Sequence, residues 1–308
     1  MDVVRDLGDL SPARPSVVAV GNFDGVHLGH AAVLGRAVQR ARSSSSLALA
    51  LTFVPHPVRV LAPGREPARL TPVDRKLELI AEQGLDTCVL LPFDRRLAAM
   101  PAREFARAVL RDGVRASRVI VGQGFRFGAD RAGGVPLLEG LGPELGFEVE
   151  PVAAVLHEGE PVSSSRIRHA LVEGQVELAA SLLGRAHQVS GVVVSGDRRG
   201  REIGFPTANL GGMRALLPGT GVYACIAAVG GEQRMAAVHV GDRPTFGRGR
   251  SVEAHLLDFA GDLYGREIAL AFVARLRSDQ RFASVDALVE QIRRDVVACR
   301  GILASHER

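Results

Sequence analysis

His27 and His30 stand three residues apart in the stretch GNFDGVHLGH, residues 21–30, directly after the apolar run SVVAV at 16–20. An apolar run of that length reads as a buried strand. The glycines behind it let the chain turn sharply at the strand's carboxyl end. In an open parallel sheet, that edge is where ligands bind. A helix starting there aims its free N–H groups at the same place, which suits phosphate. Two imidazoles beside those amides add donors that can stabilise charge building on a triphosphate during nucleotidyl transfer. No nucleophilic side chain is needed, because an incoming phosphate can attack the α-phosphorus itself, with Mg²⁺ and positioning doing the rest. The competing readings are histidines that merely pack in a turn, and a zinc site. The second lacks a cysteine–histidine cluster at ligand spacing.

A second element is SSSRIRHAL at 163–171. Ser164 and Ser165 fall at a helix start, where serines cap, and Arg166 and Arg168 follow in the first turn. Positive charge there opposes the helix dipole. A bound anion would relieve that conflict, so the element reads as a phosphate clamp against the plainer reading of a capped helix with solvated arginines. A third element is SGDRRGREIGFPTANL at 195–210. Gly196, Gly200 and Gly204 give a loop whose backbone N–H groups could approach phosphates, although a mobile surface turn explains the glycines alone. It lacks the GxxxxGK[ST] pattern of a P-loop. Pro206, Thr207 and Asn209 follow; the last two carry short oxygen ligands suited to Mg²⁺. Further on, VEAHLLDF places Glu253 and His255 on one face of a strand. A glutamate facing a cleft can accept a hydroxyl proton during phosphoryl transfer; a solvated glutamate is the plain alternative.

These residues need two kinds of scaffold. Up to about residue 184, apolar runs at 16–20, 47–53, 87–93, 118–122 and 147–152 alternate with helical patterns, which predicts a parallel sheet covered on both faces. In the segment from 71 to 84, Thr71 reads as an N-cap, Pro72 as the first helical residue and Gly84 as the stop. Beyond 184 the runs are glycine-bounded and β-rich, with few helices between them, which predicts an antiparallel barrel or sandwich. Gly230-Gly231 reads as a two-residue hairpin turn. After Ser284, the residues Val285, Leu288, Ile292, Val296 and Cys299 recur at helical spacing. The expected domains are 1–183 and 184–308.

Composition narrows the setting. The chain has 308 residues, 46% of them hydrophobic, and a formal net charge of +4. So mild an excess does not argue for nucleic acid. Lys76 is the only lysine. Cys88, Cys225 and Cys299 are scattered and fit neither a zinc spacing nor a disulfide framework, which points to a reducing compartment. The first residues lack the order of a signal peptide, and no apolar run reaches membrane-spanning length. A cytoplasmic protein with no membrane partner, monomeric or weakly self-associating, is expected.

The strand, glycines, His-x-Gly-His and helix together resemble the HxGH signature of the nucleotidylyltransferase superfamily. With TFVPHP, GFRFG, SSSRIRHAL, GREIGFPTANL, GVYA, GDRPTF, VEAHLLDF, DLYGREI and the terminal helix, the chain from about 16 to 303 resembles the prokaryotic bifunctional riboflavin kinases/FAD synthetases. The resemblance implies a Rossmann-like nucleotidylyltransferase domain followed by a β-barrel kinase domain. It implies ATP and Mg²⁺, with riboflavin converted to FMN by the second module. The first module would then convert FMN to FAD with release of pyrophosphate. It assigns Gly21, Asn22, Phe23, Asp24, His27 and His30 to the ATP site of the adenylyltransferase, with Ser164, Ser165 and Arg168 closing over the phosphates. In the kinase it assigns Thr207 and Asn209 to Mg²⁺ and phosphates, and Glu253 to the catalytic base.

The sequence also departs from that pattern. Gly124 and Gly134 stand where aspartates are expected, Val54 where a glutamate is, and His239 where asparagine is common. The first three remove acids from the N-terminal module. The alternative to a bifunctional enzyme is therefore a kinase whose N-terminal module is impaired or acts on another phosphorylated or flavin-like substrate. A non-catalytic flavin-binding protein is a third reading, opposed by the intact Thr207, Asn209, Glu253, His27 and His30.

Overall fold

The computed structural model describes residues 1–10, 14–196, 200, 203–242 and 250–305. The chain divides into two compact units: Met1–Ala68 with Pro72–Ser163, and Arg69–Thr71 with Ser164–Arg308.

The strands of the first unit are β1 (Asp2–Val4), β2 (Ser16–Val20), β3 (Leu47–Val54), β4 (Thr87–Pro92), β5 (Ala116–Gly122), the short pair β6 (Arg126–Phe127) and β7 (Gly133–Gly134), β8 (Glu148–Val152), and the pair β9 (Leu156–His157) and β10 (Glu160–Pro161). Six of them form one sheet in the order β1-β4-β3-β2-β5-β8. Every pairing in it is parallel. The helices are α1 (Leu28–Ser43), α2 (Pro57–Leu61), α3 (Val73–Ala81), α4 (Arg95–Ala98), α5 (Ala102–Phe105), which runs on as the π-helical Ala106–Gly113, and α6 (Val135–Leu145). Alternation along β2 explains the two-faced core. Val18 and Val20 enter one apolar cluster with Phe105, Leu110 and Leu138, whereas Val17 and Ala19 enter another with Leu34, Ala37 and Ile80. A strand buried on both sides reads as a nearly continuous apolar run; all five residues of β2 are buried, and the one polar member, Ser16, donates its hydroxyl to the Val114 carbonyl at 2.6 Å.

The expected start of α3 moves by one residue. Pro72 occupies the cap position with φ −56°, and no side chain caps the helix. Gly84 follows with φ +87°, the left-handed conformation that suits its role as stop. The edge of the sheet is pinned by charge. Glu150 on β8 accepts from Arg40 at 2.7 and 3.0 Å and from Arg118 at 3.1 Å. The hydrogen bond from Arg40 is the main reason that its carboxyl is held below the usual glutamate range.

The second unit opens with α7 (Ser164–Val172) and α8 (Val176–Leu183), and then forms a closed six-stranded barrel. Its strands are β11 (His187–Val194), β12 (Ala208–Gly211), β13 (Gly221–Val229), β14 (Glu232–Asp242), β15 (Arg250–Leu256) and β16 (Glu267–Arg277), in the order β11-β12-β15-β14-β13-β16, all antiparallel. The barrel is filled by Tyr223, Phe272, Val238, Val240 and Leu270, among others. Gly230 and Gly231, with φ of +58° and +89°, make the expected hairpin turn.

One loop before β13 is unusual. Each carbonyl from Leu216 to Thr220 accepts a bond from a side chain. His187 donates to Leu216 at 2.7 Å, Arg250 to Leu217 and Pro218 at 3.1 and 2.5 Å, Tyr223 to Gly219 at 2.5 Å, and Arg275 to Thr220 at 2.8 Å. The chain ends in α9 (Val285–Ala304), capped by Ser284, whose hydroxyl accepts from the Ala287 N–H at 3.2 Å. Cys299 and Leu303 are buried against the barrel, but Val285 is 60% exposed and lies off the expected apolar face. All three cysteines are free and buried.

Candidate active sites

In the first unit, β3 and β4 succeed β2 on one side and β5 lies on the other. The strand order reverses at β2, so the turn after it sits at the topological switch point, where such sheets bind ligands. That turn holds Gly21, Asn22, Phe23, Asp24 and His27 between β2 and α1. Phe23 (φ +49°), Gly25 (φ +92°) and Val26 (φ +39°) all take left-handed conformations. Phenylalanine and valine rarely do so; such strain costs about 1–3 kcal/mol per residue and gathers at functional sites. Here burial offsets it, since Phe23 and Val26 are 1% and 3% exposed.

The turn ends in a cap made by a histidine. His27 Nδ1 accepts from the backbone N–H of His30 at 3.3 Å. An accepting Nδ1 carries no proton, so the neutral ring of His27 carries its proton on Nε2. The two imidazoles stack with centroids 3.6 Å apart and planes 18° apart, and the Phe23 ring meets His30 edge-on at 5.4 Å. Gly29 makes this stack possible. A Cβ there would press on His27, 3.1 Å from Cε1. Thus the glycine between the histidines, already inside the first turn of α1, provides room. The structure brings Gly21, Asn22, Phe23, Asp24, His27 and His30 together in this one turn and helix start.

The same unit carries a row of aromatic rings that sequence reasoning did not read as a row. Phe93, Phe53, Phe105, Phe127 and Phe125 follow one another with centroid separations of 5.8, 6.4, 5.7 and 5.5 Å. The row joins the ends of β3 and β4 to the β6–β7 pair. The departures from the family pattern lie in the same region. Val54 closes β3 and packs against the α1-side core. Gly124 is open, with nothing within 4 Å of a Cβ. At Gly134 the space is taken, since a Cβ there would lie 2.8 Å from Nη1 of Arg126.

Ser164, Ser165 and Arg168 belong to α7, which opens the second compact unit. Both serines stand inside the first turn of the helix, not ahead of it.

In the barrel unit the candidate residues come from separate strands. Asn209 on β12 lies directly opposite Glu253 on β15, and Glu253 lies opposite His239 on β14. Residues paired across strands share a face, with Cβ atoms about 4.5–5.5 Å apart. Asn209, Glu253 and His239 therefore form a lateral polar row, while their neighbours Ala208, Ala254 and Val238 are buried inside the barrel. His239 also stands 3.5 Å from Asp279.

A cavity of about 690 Å³ is walled by Thr207, Asn209, Gly196, Pro206 and the segment from Phe259 to Tyr264. That volume is ordinary for a small-molecule site, for which the range is ~300–1,000 Å³. Gly196 is required by Asn209, because a Cβ on it would collide with the Asn209 amide, 2.5 Å from Cγ. Gly200 is similarly close to Thr207, 3.2 Å from Oγ1. Gly204 takes φ +87°. The rest of the glycine loop, residues 197–199 and 201–202, lies outside the described residues, as does GDRPTF from 243 onward. His255 has a function that its strand position alone did not reveal. Its Nδ1 donates to the Pro206 carbonyl at 2.8 Å, and its ring meets Phe205 edge-on at 5.6 Å. It fixes the approach to Thr207. Among the described residues no group of three or more His, Cys, Asp or Glu side chains could hold a metal ion.

The FAD synthetase family model matches residues 10–166, and the riboflavin kinase model matches residues 183–303. A bifunctional riboflavin kinase/FMN adenylyltransferase from Escherichia coli (strain K12) is 41% identical over 304 residues, covering 97% of each chain. Its counterpart from Pseudomonas fluorescens is 39% identical over 307 residues, 99% of this chain and 98% of that one. A solved structure from Streptococcus pneumoniae, named a macrolide-efflux protein, is 31% identical with a TM-score of 0.88, covering 97% of this chain and 98% of that one. Among the described residues no helix is long and apolar enough to cross a membrane. Matches to two families, in the order in which the two units occur, and relatives alike from end to end lead to one conclusion: the chain belongs to the bifunctional riboflavin kinase/FMN adenylyltransferase family.

Proposed function

We propose that this chain phosphorylates riboflavin to FMN in its barrel module, 184–308, and converts FMN to FAD in its N-terminal module, 1–183. The observation that carries the kinase is the pairing of Glu253 with Asn209, next to the cavity that Thr207 also lines. Glu253 takes the proton from the terminal ribityl hydroxyl. The freed oxygen attacks the γ-phosphorus of ATP, and ADP leaves. Asn209 and Thr207 orient the phosphates, and Gly196, Gly200 and Gly204 let the backbone approach them. A Mg²⁺ ion fits this donor set. A neutral hydroxyl and amide, with no protein cage of acids, match a cation that takes most of its oxygens from water and phosphates. When bound it would be held by Thr207 and Asn209 and would neutralise charge on the phosphates.

In the N-terminal module a phosphate oxygen of FMN attacks the α-phosphorus of ATP, and pyrophosphate leaves. His27, with its proton on Nε2, donates to the phosphate chain as charge builds, and His30 stacks against it. Gly21, Asn22, Phe23 and Asp24 shape the nucleotide's seat, and Ser164, Ser165 and Arg168 bind phosphate. The partly exposed members of the aromatic row, Phe53, Phe93 and Phe125, offer an apolar surface for the flavin ring, backed by the buried Phe105 and Phe127. Val54, Gly124 and Gly134 leave the histidine turn intact, so the FMN reading is kept. ATP use and three reduced, buried thiols fit a cytoplasmic setting, with the protein a monomer or weak homo-oligomer.

The test is a product assay with ATP and Mg²⁺, once with riboflavin and once with FMN, resolving FMN from FAD by chromatography. FAD in both tubes is the expected result. FMN from riboflavin with FAD in neither tube would overturn the adenylyltransferase assignment.

A further inference from the structure

Lys76 is the only lysine in a chain with 38 basic residues, so arginine occupies every other Lys/Arg position. It is also buried, at 6% exposure, on α3. Buried charge is costly unless it is bonded. Its Nζ lies 3.3 Å from the Asn22 carbonyl and 3.2 Å from Thr52 Oγ1, and Thr52 in turn donates to the Asn22 carbonyl at 3.1 Å. The three groups close a triangle on the turn after β2. From Asn22 the next residue is Phe23, held in its left-handed conformation with its ring against His30. A mechanical path therefore runs from the ammonium of Lys76 through one carbonyl to the histidine stack.

The composition bears on the same point. A bias towards arginine has reached every basic position but this one. Arginine carries a broad planar fork, whereas lysine ends in a compact point charge with three donors. A slot that presents a carbonyl and a hydroxyl oxygen at close range inside the protein suits the second better than the first. We propose that Lys76 is a positioning residue of the adenylyl-transfer site. Its side-chain nitrogen fixes the Asn22–Phe23 turn in the shape that seats ATP. The inference rests on the adenylyltransferase reading of this unit.

The experiment uses the full chain with Lys76→Met and Lys76→Arg, and measures both reactions in each protein. A misplaced turn of this kind costs about 10²-fold. Lys76→Met is therefore expected to lower kcat/KM for FAD formation by that order, with a raised KM for ATP and an unchanged KM for FMN. Lys76→Arg is expected to recover less than about a tenth of the wild-type rate, since its fork does not fit the slot. Urea unfolding of each variant reports whether the first unit still folds, since riboflavin phosphorylation belongs to the separate barrel unit. Lysine-selective ¹⁵N labelling gives a second readout, because one side-chain ammonium resonance represents the whole chain. That resonance is expected to shift on saturation with Mg²⁺ and a non-hydrolysable ATP analogue, and not with riboflavin. Wild-type rates in Lys76→Arg, a Lys76→Met protein whose first unit has lost its urea unfolding transition, or an ammonium resonance unmoved by the analogue would each reduce Lys76 to a fold anchor. Absence of FAD from the wild-type protein would instead overturn the reading beneath it.

Discussion

The two units solve one problem, holding phosphate, in opposite ways. In the parallel-sheet unit the candidate residues that the unit itself supplies are local. A single turn of ten residues carries the glycines, the histidines and the helix N-terminus, and strain at Phe23 and Val26 shapes it. In the barrel the site is assembled from a distance. Asn209, Glu253 and His239 meet only because three antiparallel strands run in register. A local site depends on the conformation of one loop, and a distributed site on the alignment of several strands. The first should be sensitive to what supports its turn. The second should be sensitive to anything that intrudes between its strands.

Four experiments sharpen or break that contrast. The largest effect belongs to Glu253→Gln, which removes the proposed base and should lower riboflavin phosphorylation by ~10²–10⁴-fold. FAD formation from added FMN should persist; an equal loss of both would mean that the sites are not separate. His27→Ala should do the reverse, lowering FAD formation by about 10²–10³-fold while FMN is still made from riboflavin. Gly196→Ala tests intrusion. Its new methyl group strikes the Asn209 amide, so kinase turnover should fall by about 10²-fold, and normal turnover would show that Asn209 need not hold its observed position. The smallest effect concerns stability. The carboxyl of Glu150 is held low chiefly by Arg40, so its contribution is present above the usual glutamate pKa of about 4.3 and is lost as pH falls through the depressed value. Glu150→Gln should lower the urea midpoint at pH 7 by the equivalent of less than about 1 kcal/mol, and the gap should close towards pH 3. A gap that widened in acid would contradict the arginine cluster.

The same contrast explains what could be read from the sequence. The strands at 16–20 and 47–53 and the turn between Val229 and Glu232 announce themselves by apolar runs and paired glycines, and the structure has them at those places. The histidine turn was legible because its chemistry is contiguous. What could not be read is what depends on register or on close approach. Nothing in the spacing of residues 209 and 253 says that they are opposed. That Gly29 makes room for His27 and Gly196 for Asn209 follows from distances, not from glycine content. Val285 fits the helical period yet faces solvent, because the first turn of α9 carries it past the barrel wall. Lys76 did leave a signal, its solitude, but composition alone could not say that the residue is buried beside Asn22. The aromatic row was not legible as a row, since five phenylalanines scattered over 75 positions look like ordinary core even where three of them stand in TFVPHP and GFRFG.

The loop from Leu216 to Thr220 has a consequence for degradation. A protease binds its substrate as an extended strand and needs the backbone carbonyls of that strand for itself. Here every carbonyl of the loop is already engaged by His187, Arg250, Tyr223 or Arg275. An exposed irregular connection is ordinarily where a chain is nicked first; in this one no residue is exposed, and Pro218 and Gly219 are buried. This one should survive digestion as long as the barrel that supplies those four side chains, so cleavage within it would report global unfolding and not a loose loop.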